Sequence, residues 1–90
     1  MTGEMHESEV TREAYPLHFA IADELGGEVR PFDQYQGPYV QTPKGNLWLC
    51  PLEDTCFVFV YNERTGNKSA CFPWDAMDEL VVEAALEVTA

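Results

Sequence analysis

Apolar positions recur with two different periods along this chain. Leu17, Ala20, Ile21 and Leu25 follow the three-and-four spacing of one helix face, with Glu24 at the edge of the stripe. Pro16 suits a first helical turn, where its missing N–H would lack a partner anyway. Gly26-Gly27 supplies the left-handed residue that ends a helix cheaply. A helix over about 14–25 is predicted. A second stripe, Met77, Leu80, Val81, Ala84, Ala85 and Val88, has the same period. Pro73-Trp74-Asp75 is expected to open this helix, which runs to about residue 88. Asp75, Asp78 and Glu79 in its first turns match the positive end of the helix dipole.

Between the helices the runs are short and bounded by Gly, Pro, Asn and Asp. Strands are predicted at about 28–32, 38–42, 47–50, 56–61 and 69–72. Thr42-Pro43-Lys44-Gly45-Asn46 and Asn62-Glu63-Arg64-Thr65-Gly66-Asn67 have the composition of hairpin turns. The expected fold class is α+β: an antiparallel β-meander of about four to five strands, flanked by an N-terminal and a C-terminal helix. The run Cys56-Phe57-Val58-Phe59-Val60-Tyr61 is apolar on both faces. A half-exposed sheet does not need that. Either the helices cover opposite faces, or both lie on one face and leave the other, extended by Trp48, as an interface. Ordinary burial is the expectation taken. The run resembles the aromatic strand of RNA-recognition domains, but no basic residue precedes it and the element order begins with a helix.

Ninety residues make one domain, expected to be compact over 1–90 with 1–13 as a flexible leader. A hydrophobic content of 46% is enough for a real core and argues against disorder despite the charge. That charge is the most unusual property: sixteen acids against five bases give −11. Phosphate contacts need Lys and Arg, so direct binding to nucleic acid or to an anionic membrane is not expected. A basic protein is the favoured partner. No apolar run approaches the length of a membrane span, and no basic, apolar leader opens the sequence. With an odd count of cysteines, the expected location is the cytoplasm with reduced thiols.

Candidate chemistry adds little. Cys50, Cys56 and Cys71 form no Cys-x-x-Cys or Cys-x-x-His unit, and core thiols are expected rather than metal ligands. His6 and His18 have no local signature of a Cys–His nucleophile pair. The acids show no EF-hand spacing, and no glycine-rich phosphate loop is present. The expectation is a chain that is not an enzyme, with no catalytic residue, cofactor or metal.

The acids are a different matter. Asp75, Glu79, Glu83 and Glu87 recur every four residues, with Asp78 beside them. On a helix this makes a slowly turning ridge opposite the apolar stripe. Like charges at that spacing cost a helix a few tenths of a kcal/mol each, roughly. The functional expectation is a ladder of negative charge, in the manner of a nucleic-acid backbone, presented to a basic nucleic-acid-binding protein. Glu53 and Asp54 would add to it, and Tyr35 and Tyr39 would be aromatic anchors. The plain alternative is an acidic face that only meets water. Lys44, Arg64 and Lys68 would form a basic tip at the other end of the sheet. In size, charge and α+β character the chain resembles the small acidic phage proteins that inhibit CRISPR effectors or restriction enzymes, and the acidic immunity proteins of nucleases. The competing expectation is a structural or accessory subunit, a homodimer for instance, assembled through the apolar sheet face.

Overall fold

The computed structural model describes residues 10–31 and 38–90. Helix α1 spans Pro16–Leu25 and helix α2 spans Asp78–Thr89. Between them run β1 (Glu28–Arg30), β2 (Tyr39–Thr42), β3 (Gly45–Pro51), β4 (Phe57–Asn62) and β5 (Phe72–Pro73). The strands form one antiparallel sheet in sequence order, the α+β meander expected from the pattern. No helix among the described residues is long and apolar enough to cross a membrane.

Helix α1 begins and ends where its sequence directs. Pro16 occupies the first turn, and Gly26 closes the helix in the left-handed conformation at φ 68°. Gly27 then donates its N–H to the Ala22 carbonyl, satisfying one of the last carbonyls. The predicted leader lies in part outside the described residues, as does Tyr35. From Val10 onward, Tyr15 N–H bonds the Thr11 carbonyl, and Arg12 forks onto both Asp23 carboxylate oxygens at 2.7 and 3.0 Å.

Helix α2 starts later than predicted. Pro73 is paired with Phe57 in the sheet, Trp74 N–H bonds the Cys56 carbonyl, and Ala76 N–H closes a turn on Pro73. Those bonds hold residues 73–76 in strand and turn. Met77 is still extended, at ψ 152°, and serves as N-cap. Asp75 therefore stands in the preceding turn and not on the helix. The fifth strand is also shorter than predicted. The Ser69 hydroxyl accepts the Val60 N–H at 2.9 Å while donating to the Ala70 carbonyl, so only Lys68 bridges to Tyr61 before pairing resumes at Phe72.

Both helices pack on the same side of the sheet: α1 on α2, β1 and β2, and α2 on β4. The core lies in that layer. Leu17, Ile21 and Ala22 of α1 meet Val81, Ala84, Ala85 and Val88 of α2 over Val40, Leu47, Val58, Val60 and Phe72. Register then fixes the opposite face. Trp48 is across from Tyr61 and Cys50 from Phe59, while Tyr39 stacks on Trp48 at 4.9 Å between centroids. Trp48 Nε1 also donates to Glu63 at 2.8 Å, and the Lys68 ammonium lies over the Phe59 ring. Ordinary burial of both faces is thus corrected. Phe59 and Tyr61 are half-buried and Phe57 is 46% exposed, because neither helix crosses to their side.

A buried asparagine adds a polar joint between the layers. Asn62 ends β4 and is completely buried. Its Nδ2 donates to the Val88 carbonyl at 2.8 Å and to the Lys44 carbonyl at 3.3 Å, and its Oδ1 accepts from Arg64 N–H at 2.9 Å. Gly45, at φ 131°, leaves room for this amide, since a Cβ there would run into Asn62 Oδ1.

Candidate acidic helix face

The acids sit where α2 turns away from the core. With Val81, Ala84, Ala85 and Val88 facing inward, an advance of about 100° per residue carries Glu79 and Glu83 to the outer side and Glu87 to its flank. Asp75, Asp78, Glu79, Glu83 and Glu87 are all exposed. No base pairs with any of them among the described residues, whose ion pairs are Arg12–Asp23 and Arg30–Glu28. The hydrogen bond from Arg12 holds the Asp23 carboxyl below its usual range.

Glu53 and Asp54 stand in the exposed turn between β3 and β4. The bond from Trp74 N–H to the Cys56 carbonyl lays that turn beside the one carrying Asp75. The structure therefore gathers Glu53, Asp54, Asp75, Asp78 and Glu79 at one end of the molecule, and Glu83 and Glu87 continue along α2. At the other end the β2–β3 and β4–β5 turns lie side by side, with Arg64 Nη1 donating to the Pro43 carbonyl at 3.2 Å. Lys44 shares that end, and the α2 C-terminus reaches it through Val88.

Tyr39 is not part of this face. It lies in β2 with its ring against Trp48, on the sheet side opposite the helices. Two other expectations change. Met77 and Leu80, predicted as core stripe, are 69% and 45% exposed, because the helix starts at Asp78 and the four inward residues already fill its contact. The thiols are not core either: Cys56 and Cys71 are exposed in turns and connections, and Cys50 is half-buried on the outer sheet face, where burial pushes its thiol pKa up. Among the described residues, no group of three or more His, Cys, Asp or Glu side chains is placed to hold a metal ion.

An open groove of about 780 Å³ runs between the helices. Ala20, Asp23 and Glu24 line it from α1, and Met77, Asp78, Glu79, Leu80, Val82, Glu83 and Leu86 from the other side. Apolar side chains therefore alternate with carboxylates on the same exposed surface. Trp74, 43% exposed beside Asp75, extends the mixture toward the acidic end. The sequence carried one signal of this arrangement. Leu86 falls between Glu83 and Glu87, on the side of the helix that the acids mark as solvent-facing, and it is 46% exposed.

No protein-family model matches this chain, and no curated protein or solved structure matches it.

Proposed function

We propose that the chain is a non-enzymatic inhibitor that binds a basic, nucleic-acid-binding protein through the α2 face and shields that protein's nucleic-acid site. The observation that carries this reading is the run of acids along α2 with which no base among the described residues pairs. Asp78 and Glu79 have a local explanation, since a helix N-terminus favours negative charge. Glu83 and Glu87 do not. Glu87 lies near the last turn, where the dipole favours a base, and the helix carries none of its own there; the nearby Lys44 and Arg64 belong to the hairpin turns and form no ion pair with it. An acid kept where it works against its own helix is better explained by what it meets outside. Charge of this kind steers encounter, and the exposed Trp74, Met77, Leu80 and Leu86 beside it provide apolar anchors.

The test uses two baits in cell lysate, the native chain and the double reversal Glu79→Lys/Glu83→Lys. Both positions are exposed, so the variant should keep its circular dichroism, with a melting temperature lower by only a few degrees, roughly, from placing a base at the helix N-terminus. The native bait should retain a basic protein that leaves as salt rises and is competed off by DNA or RNA. Two lost charge pairs are worth roughly 3 kcal/mol, so the reversal should weaken binding about 100-fold. Equal retention by both baits sinks the proposal.

The sheet face on which neither helix packs favours a second reading, a subunit that assembles through Phe57, Phe59 and Tyr61. Phe57→Asp probes it, because Phe57 is 46% exposed and its loss leaves the core intact. Under this reading the native chain sediments as a dimer that is indifferent to salt, and Phe57→Asp sediments as a monomer. A native monomer at all concentrations excludes it.

A further inference from the structure

The groove between α1 and α2 has two ridges, an apolar floor and acids on both rims. Ala20 of α1 and Val82 and Leu86 of α2 line the floor, and Met77 stands at its end. Glu24 stands on the α1 rim, and Glu79 and Glu83 on the α2 side. Resting on the reading of this face as the partner-binding surface, we propose that the groove takes a basic amphipathic α-helix of the partner protein.

Three features select that occupant. Two neighbouring helices leave between them a trough of the width a third helix fills, with interaxial distances of about 8–10 Å. An extended strand would instead seek an open sheet edge, and no strand residue lines the groove, which is built from α1, α2 and the Met77 cap. The charges then specify the sequence. Arg12 occupies Asp23, while no base among the described residues pairs with Glu24, Glu79 or Glu83. A helix with one apolar row flanked on both sides by Lys or Arg satisfies floor and rims together. On the α2 side the lining runs from Met77 to Leu86, a length of about 14 Å, room for two to three turns of a partner helix.

The experiment uses synthetic peptides on the full chain. One is a roughly fifteen-residue helix with a leucine row flanked by Lys and Arg, long enough to fill the groove with about a turn to spare. The other has the same composition with the leucines dispersed around the helix. Fluorescence anisotropy should show the amphipathic peptide binding at least about 10-fold more tightly, about what one well-packed apolar contact supplies. Circular dichroism should show it gaining helix on binding. Leu86→Gln, which removes apolar floor without changing charge, should bring the two peptides to the same affinity. Equal binding of both peptides to the native chain overturns the helix while leaving the acidic face as the site. No binding by either peptide, or an unchanged preference in Leu86→Gln, also overturns it, as does self-association that Leu86→Gln abolishes, which would put a second copy in the groove. Failure of the broader reading shows separately, as retention of the salt-released protein by the Glu79→Lys/Glu83→Lys bait.

Discussion

Asn62→Ala should cost the domain about 3 kcal/mol of stability. Removing the amide leaves the Val88 carbonyl, the Lys44 carbonyl and the Arg64 N–H without their partner. Val88 is buried, so its carbonyl loses a hydrogen bond that water does not readily replace, and each such loss costs about 1–3 kcal/mol. Lys44 and Arg64 are exposed, and water restores part of what they lose. A small cavity adds to the total. For a domain whose whole stability is on the order of 5–13 kcal/mol, the loss is large. Asn62→Asp should be worse than alanine. It places a buried carboxylate against the Val88 carbonyl, at the negative end of α2, where charge and dipole repel. Urea unfolding gives both values from the shift in midpoint at constant slope. A loss below about 1 kcal/mol for alanine would mean that α2 is held by its apolar contacts alone.

Asn62 also marks the limit of what the sequence discloses. In the chain it reads as a turn residue at the start of Asn62-Glu63-Arg64, and it does begin a turn, accepting Gly66 N–H on its carbonyl. Its side chain, however, bonds residues 18 and 26 positions away, and no local pattern carries that information. Features set by nearby residues were legible. Pro16 and Gly26 bounded α1, and the turn compositions indicated an antiparallel meander. Features set by long-range bonds were not. The pairing of Pro73 with Phe57 took residues 73–76 out of α2, and the Ser69 hydroxyl interrupted the fifth strand. Periodicity grouped Met77 and Leu80 with the core because it reports a face, not how much of that face a neighbour covers. The acids of α2 were legible as a ridge, but the apolar floor among them depended on where α1 lies. That Tyr39 lies on the sheet face away from α2 was not legible either, because one residue of register decides which face a strand residue takes.

Acid should weaken the fold through His18, independently of the carboxylates. His18 belongs to α1 and is buried, with Tyr15 edge-on at 5.3 Å and its ring N–H donating to the Pro38 carbonyl. Burial lowers its pKa from 6.5 to about 4, and the bond to Pro38 opposes that only in part. The folded value is the lower one, so between pH 6.5 and 4 the unfolded chain holds the proton more tightly. Stability from this group is complete above about pH 6.5, declines by about 1.4 kcal/mol per pH unit, and levels off below pH 4. The full loss is about 3 kcal/mol. Protonation of the sixteen acids runs alongside and relieves the self-repulsion of the folded chain, so the native curve alone does not isolate His18. His18→Gln does. Glutamine keeps an N–H for Pro38 but does not titrate, and the acids behave alike in both proteins. The native chain should be the more stable at pH 7, and the difference should shrink by about 3 kcal/mol by pH 4, reversing sign if the substitution itself costs less than that. A difference that stays constant over this range would show that His18 takes up its proton without leaving the folded state.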